Sequence, residues 1–416
     1  MKNGTIAALL RGLCINLTGT PKAVVCETVD KADNAPAVMK VEISSDETEE
    51  SAAGIIRKTY DTWKESAHKE LNHDSSDSGK DSIIIPSCVS LSVNGKTEVL
   101  YWIDDDLDSA GKRRTEKDTV PMKKHSARTV TSGATLDPAD RAAVVRNRIT
   151  LVTGGAQGIG EEIARNLAAA GALVFITDLN IELAQKLAND INAAEKRTAA
   201  FALEVNVSNE VSVENMFNAV AETAGGLDLC VSNAGVLRAG SVLEQELADF
   251  KFATDINYIG FFVVSKYAGR LLRTQHLTAP DWKTDIIQIN SKSGLEGSNK
   301  NGAYAGGKFG GLGLVASFAM ELVEYNIKVN AICPGNFLDG PLWSHPEKGL
   351  FVQYLKAGKV PGAKTAADVR AFYEAKVPMK RGCTGKDLVR SLFYIIEQEY
   401  ETGQAVPVTG GQVMLH

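Results

Sequence analysis

From Arg148 onward the sequence predicts an α/β fold, a parallel sheet doubly wound by helices on both faces. Two observations carry this reading. Strand-length apolar runs alternate with amphipathic helical stretches, and a glycine-rich turn stands between the first run and the first helical stretch. A third sets the organisation: 416 residues exceed the roughly 250 expected of one such domain. The division that follows is an unassigned N-terminal region, 1–145, and an α/β domain, 146–416.

The N-terminal region is of mixed character. Met1 to Arg11 carries a charge and an apolar stretch that Arg11 interrupts, with no small-residue cleavage site after it, which argues against a signal peptide. Acids and serines cluster at 44–51 and 74–78, too polar to bury much surface, and read as loops. Between them, Ile55, Ile56, Tyr60 and Trp63 suit one face of a helix over 52–71. Ser87 to Val93, Asn94-Gly95 and Lys96 to Ile103 predict a β-hairpin, because Asn-Gly fits a type I′ turn. The acids Asp104, Asp105, Asp106 and Asp108 lack the spacing and closing Glu of an EF-hand and read as a solvated charge run. The stretch 112–132 reads as linker.

In the α/β domain the apolar runs place strands at 149–153, 173–177, 200–205, 228–232, 285–290, 327–332 and 405–408. Helices are expected at 159–170, 181–193, 210–223, 258–274, 302–324 and 385–397. The segment from Asn336 to Met379 reads as a long irregular lid, with Trp343, His345, Phe351 and Tyr354 able to line a site.

Chemistry enters through spacing. Thr153-Gly154-Gly155-Ala156-Gln157-Gly158-Ile159-Gly160 joins the first strand to a helix start, where backbone N–H groups and the positive helix end would face an anion. The spacing is G-x3-G-x-G rather than G-x-G-x-x-G, so a purely structural turn is the competing reading. Asp178 closes the second strand, where an acid accepts from both adenosine ribose hydroxyls and repels a 2′-phosphate, pointing to NAD over NADP. Further on, Tyr304 and Lys308 stand one helical turn apart, thirteen residues after Ser291. Such a pair is common on surface helices, but with Ser291 it brings a phenol, an ammonium and a hydroxyl to one place. A nearby ammonium is expected to lower the phenol toward a working base.

In their order, the Gly turn, Asn233-Ala234-Gly235, Asn257, Ser291, Tyr304 with Lys308, and Pro334-Gly335 resemble the short-chain dehydrogenase/reductase family over about residues 147–416. The resemblance implies a Rossmann-like sheet and a hydride-transferring enzyme whose catalytic residues are Asn257, Ser291, Tyr304 and Lys308. It implies that NAD is held by Gly154, Gln157, Gly158, Ile159, Gly160, Asp178, Asn206, Val207, Asn233, Ala234, Gly235, Tyr304, Lys308, Pro334 and Gly335. Asn257 would support a water leading from Lys308 to solvent. Three positions depart from the pattern: Asn206 stands for an Asp, Asp339 for a Thr, and Thr409 for an Asp.

The stretches 286–294, 308–311, 376–383 and 409–414 look like the subgroup that oxidises D-sorbitol 6-phosphate to D-fructose 6-phosphate with NAD. A sugar-alcohol phosphate needs cations and hydroxyls near the cleft, for which Lys292, Ser293, Lys380 and Arg381 are candidates, each also readable as an ordinary surface or structural residue. An unphosphorylated polyol or other sugar-derived alcohol is the alternative, and a non-catalytic NAD-binding regulator a second. The resemblance implies a homo-oligomer, dimer or tetramer. Scattered Cys and His argue against a metal site, and the absence of a basic patch argues against nucleic acid as partner. No apolar run reaches membrane-spanning length, so no membrane partner is expected and the location is expected to be cytoplasmic.

Overall fold

The computed structural model describes all residues except 1–2, 19, 29–38, 45, 72–81, 94–95, 117–121, 126–140, 348, 357, 359 and 416. The chain opens with α1 (Asn3–Thr18), β1 (Ala23–Thr28), β2 (Met39–Ile43) and α2 (Glu49–Leu71). There follow β3 (Ser82–Ile85), β4 (Cys88–Val93), β5 (Lys96–Asp104), α3 (Leu107–Glu116) and β6 (Met122–His125). Four of these strands form a sheet in the order β1-β5-β4-β2, while β3 and β6 pair separately. Alternation along β5 decides the layers: Val99, Tyr101 and Ile103 face α1 and α2, whereas Leu100 and Trp102 pack toward Ala110 of α3.

Several expectations about this region change. The hairpin strands and the helix are present, the helix starting earlier because the Thr48 hydroxyl accepts the Ser51 N–H (3.2 Å). The Asn94-Gly95 turn and the 74–78 cluster lie outside the described residues. The expected linker 112–132 is partly structured, since α3 runs to Glu116 and β6 spans 122–125; its other residues lie outside the description. The four acids are engaged: Asp104 by Arg113 (2.6 Å), Asp105 by Lys22, Asp106 by the Ser109 N–H (2.8 Å) and Asp108 by the Thr198 N–H (3.1 Å). Asn3–Thr18 form a buried helix, which runs through Arg11 where the apolar stretch of 1–11 was expected to end.

The second sheet is built from β7 (Ile149–Thr153), α4 (Gly158–Ala169), β8 (Leu173–Asp178), α5 (Ile181–Glu195), β9 (Ala200–Glu204), α6 (Glu210–Ala224) and β10 (Leu229–Ser232). Next come α7 (Leu247–Thr254), a π-turn over Asp255–Ile259, α8 (Gly260–His276), β11 (Thr284–Ile289), α9 (Gly302–Leu322) and β12 (Ile327–Pro334). The chain ends with α10 (Pro341–Ser344), α11 (Leu350–Lys356), α12 (Ala366–Ala375), α13 (Gly385–Glu397) and β13 (Ala405–Val408). Seven parallel strands lie in the order β9-β8-β7-β10-β11-β12-β13. α4, α5 and α13 cover one face through Leu167, Leu187 and Leu392, and α6, α8 and α9 the other through Phe217, Val264 and Val315. This is the doubly wound fold, and its strand order reverses between β7 and β10, where such sheets open a crevice.

The region 336–379 is not irregular. It holds three short helices with a core of their own: Trp343 meets Phe351 (5.3 Å between centroids), Tyr354 (5.9 Å) and Tyr373 (5.0 Å). Aromatic rings spaced along short helices bury area against one another, so Trp343, Phe351 and Tyr354 serve that packing. The His345 Nδ1 accepts the Glu347 N–H (3.2 Å). Among the described residues no helix is long and apolar enough to cross a membrane.

At the far edge Lys328 is 5% exposed; its ammonium lies 3.0 Å from Asp285 and donates to the carbonyls of Ile395 (2.6 Å) and Gln398 (2.8 Å) at the end of α13. Lys328→Met leaves the carboxylate and the helix end without that donor. Chemical denaturation should show a loss of about 3–5 kcal/mol, as for other severed buried ion pairs.

Candidate active site

The crevice is assembled from the ends of β7, β8, β10 and β11 and the start of α9. After β7 the chain turns at Gly154 with φ +58°, a conformation that glycine adopts without strain. A Cβ on Gly160 would overlap the Gly154 carbonyl and come within 2.7 Å of Asn233 Nδ2, so α4 can begin this close only with glycine there. Gln157, at the head of α4, makes no side-chain capping bond, which leaves first-turn N–H groups of a twelve-residue helix open to an anion. Asp178 accepts from the Ala156 N–H (3.1 Å) and the Asn180 N–H (3.0 Å), which holds its carboxylate beside the turn. These residues fit a dinucleotide. Gly158 and Ile159 are the first residues of α4, and Asn206 and Val207 follow β9. There the Asn206 Oδ1 accepts from Ser208 (2.7 Å to the hydroxyl).

Asn233 ties the two lips of the crevice: its Nδ2 donates to the carbonyls of Thr153 (3.0 Å) and Gly154 (2.8 Å). The Thr153 hydroxyl accepts from the N–H groups of Asn233 (3.0 Å) and Ala234 (3.1 Å). Asn257 sits in the π-turn, 2% exposed, and bonds both backbone groups of Val236, accepting at 3.0 Å and donating at 2.8 Å. It therefore latches the loop containing Gly235. On the other side Gly335 donates to the Val408 carbonyl (2.9 Å), which fixes the turn after Pro334.

The structure brings Ser291, Tyr304 and Lys308 together. The Ser291 hydroxyl is near enough to the Tyr304 phenol to favour its ionised form, and it accepts the Ser293 N–H (3.1 Å). The Lys308 ammonium lies 5.6 Å from the Tyr304 ring centroid and donates to the Ile289 carbonyl (2.9 Å). Asn290, which the sequence reading passed over, accepts the Ser291 N–H (2.8 Å) and donates to the Lys308 carbonyl (2.9 Å). Its only sequence signal was a polar residue between an apolar strand and the serine. Thr153 was missed as a lip residue in the same way.

The expected lowering of the phenol is not produced by the protein's own groups. Burial raises Tyr304, the Ser291 hydroxyl opposes that, and Cys333 adds to it. Burial also acts on Lys308, which falls to about 8.

The four candidate substrate residues divide. Lys292 follows Ser291 on a short 3-10 turn, partly exposed, with Glu296 at 3.1 Å. Ser293 is buried on the same turn. Lys380 donates to the Ala375 carbonyl (2.8 Å), and the Arg381 guanidinium pairs with Asp387 through both terminal nitrogens (2.6 and 3.0 Å). Asp387 is already part of the capping box that starts α13, so Arg381 serves the helix start. Asp339 is paired with Arg370 (2.7 Å).

A glycine turn with open helix-start N–H groups at the switch point of a doubly wound sheet, together with a hydroxyl, a phenol and an ammonium, fits an oxidoreductase acting on CH–OH groups. The chain belongs to the short-chain dehydrogenase family, which it matches over residues 148–345. It is 35% identical over 271 residues to the sorbitol-6-phosphate 2-dehydrogenase of Escherichia coli (strain K12), covering 64% of this chain and 99% of that one. It is 30% identical to the meso-2,3-butanediol dehydrogenase of Serratia marcescens, over 58% of this chain and 96% of that one. Among solved structures it is similar to sorbitol-6-phosphate 2-dehydrogenase SrlD from Erwinia amylovora: 38% identity, TM-score 0.59, 64% of this chain and 100% of that one.

The lowered Lys308 has a consequence for stability. Free lysine titrates near 10.4, so between about pH 8 and 10.4 the unfolded chain holds more protons than the folded one, and stability gains from rising pH. Below about pH 8 the cost of the buried ammonium is present in full. Lys308→Met removes this term. Urea midpoints taken without added nucleotide should show the variant ahead at pH 7, its advantage shrinking toward pH 10.

Proposed function

We propose that the chain is an NAD-dependent oxidoreductase moving hydride between nicotinamide and a sugar-alcohol phosphate, D-sorbitol 6-phosphate to D-fructose 6-phosphate. The observation that carries the phosphate is Lys292, an ammonium one residue beyond Ser291 whose ion-pair partner, Glu296, is itself exposed. The names of the two sorbitol-6-phosphate relatives support the same substrate. Asp178, with its carboxylate held beside the turn, supports NAD, since a 2′-phosphate would meet its charge. Nucleotide contacts are assigned to Gly154, Gln157, Gly158, Ile159, Gly160, Asn206, Val207, Asn233, Ala234, Gly235, Pro334 and Gly335. When bound, the nicotinamide supplies the hydride acceptor.

In this reading Ser291 holds the substrate oxygen and Tyr304 takes the hydroxyl proton, or returns it in reduction. Lys308 is held by its hydrogen bond to the Ile289 carbonyl with its ammonium over the Tyr304 ring, where it would orient the nicotinamide ribose. Asn257 positions the loop at Gly235 beside the ammonium. We also infer a homo-oligomer. Phe262 of α8 and Phe309 and Met320 of α9 are exposed, and a groove between these helices is lined by Phe318, Leu322 and Tyr325.

A second reading, an unphosphorylated polyol, is favoured by the commitment of Lys380 and Arg381 to the protein itself. Steady-state oxidation of sorbitol 6-phosphate and of sorbitol, with NAD and NADP, separates the two. Lys292→Ala should raise KM for the phosphate ester by about 10- to 100-fold, the loss of one charge-assisted bond, and leave sorbitol unchanged. Equal turnover of both substrates would sink the phosphate assignment. Tyr304→Phe should lower kcat by about 100- to 10,000-fold. An unchanged rate would remove Tyr304 from the chemistry.

A further inference from the structure

The surface of the dehydrogenase sheet formed by α6, α8 and the start of β10 is filled by α1. Its apolar side chains Ile6, Leu9, Leu10 and Leu13 pack within the N-terminal unit, and its backbone comes very close to α6 and α8. A Cβ on Gly4 would reach 2.9 Å from the Ala221 Cβ of α6, and one on Gly12 would overlap the Thr278 hydroxyl just beyond α8. That hydroxyl donates to the Leu9 carbonyl (2.8 Å). In the middle stands Arg11, 0% exposed. Its two terminal nitrogens bond both carboxylate oxygens of Asp228 (3.1 and 2.6 Å), and its Nε donates to the Lys22 carbonyl (2.6 Å). Around the rim α2 adds Glu50 to Arg273 (2.5 Å), Glu49 to Thr274 (3.0 Å) and Arg57 to the Leu277 carbonyl (2.9 Å).

We propose that the α6–α8 face is a docking surface dedicated to an apolar helix carrying one guanidinium, and that its partner is the chain's own N-terminal unit, α1 with the four-stranded sheet, seated permanently. A hinged regulatory domain would meet its host through a modest polar interface, from which it leaves at little cost. Here the contact is helix backbone against helix, with a fully desolvated ion pair at its centre. Lifting the unit away would break the close backbone packing at Gly4 and Gly12 and strip Asp228 of its guanidinium. The unit and the dehydrogenase sheet therefore unfold as one cooperative body. This holds whatever the substrate, because nothing in it touches the crevice.

Equilibrium urea unfolding of the full-length protein, followed by far-UV circular dichroism and tryptophan fluorescence, tests it. Trp63 and Trp102 report from the N-terminal unit and Trp282 and Trp343 from the rest. One coincident transition is expected. Arg11→Met should raise the unfolding equilibrium constant by about 100-fold or more, as for other broken buried pairs. The double variant Arg11→Met, Asp228→Asn should fall short of the product of the single effects by at least about tenfold. A separate early transition, or multiplicative single effects, overturns the proposal. Should Arg11→Met not fold, native-state hydrogen exchange on the unaltered protein decides. Amides of Ala8 to Cys14 protected within about tenfold of those of β7 support it, and faster exchange overturns it.

Discussion

Asp228 stands just before β10, and three distant parts of the chain meet on its carboxylate. The Ile149 N–H at the start of β7 donates at 2.8 Å, the Trp282 indole at 2.9 Å, and the Arg11 guanidinium at 2.6 and 3.1 Å. Burial alone would drive this acid toward its neutral form. Arg11, together with Arg148 and the Ile149 N–H, more than offsets that, so the group is held below the ordinary carboxylate range. A buried pair of this kind adds little net stability over an apolar substitute, yet losing one partner is severe. Its consequence for the fold is alignment. β7 and β10 are parallel neighbours in register, Leu229 opposite Thr150, so setting their beginnings together also sets their ends together. Those ends are the two lips of the crevice.

From there the geometry passes outward by short polar links. Thr153 and Asn233 join the lips, and Asn257 fastens the loop beyond them. Across the crevice Asn290 binds the serine's backbone and the lysine's backbone with one amide. A buried ammonium at Lys308 has to be held by an acceptor, and the Ile289 carbonyl at the end of β11 supplies it. The same lysine thus lies near the phenol because the strand end, not the phenol, anchors it. Every one of these links is backbone-directed, which keeps the site's shape independent of side-chain rotamers at the surface.

The interior strands were legible in the sequence with little error. β7 and β11 are buried on both faces and so lack the alternation of a half-exposed strand, reading as largely apolar runs despite Thr150 and Gln288. The site was legible too, since Tyr304 and Lys308 share a helix, and Ser291 and the glycine turn follow strands whose ends point into the crevice. What failed did so for definable reasons. Arg11 looked like the end of an apolar stretch because its partner lies 217 residues away. Lys380 and Arg381 looked available because local competitors were not counted, and Asp387 six residues on takes Arg381. The lid looked irregular because helices of four to ten residues are too short for periodicity to establish.

The sequence by itself determined the class of fold, the order of the motifs and the residues that meet in the crevice, because strand and helix periods and turn residues act over a few neighbours. Only the tertiary structure decided which charges are buried, which cations are already engaged, and that the helix Asn3–Thr18 packs on α6 and α8 of the dehydrogenase sheet. Those outcomes depend on exclusion of water by segments far apart in the chain, and a local pattern carries no record of that distance.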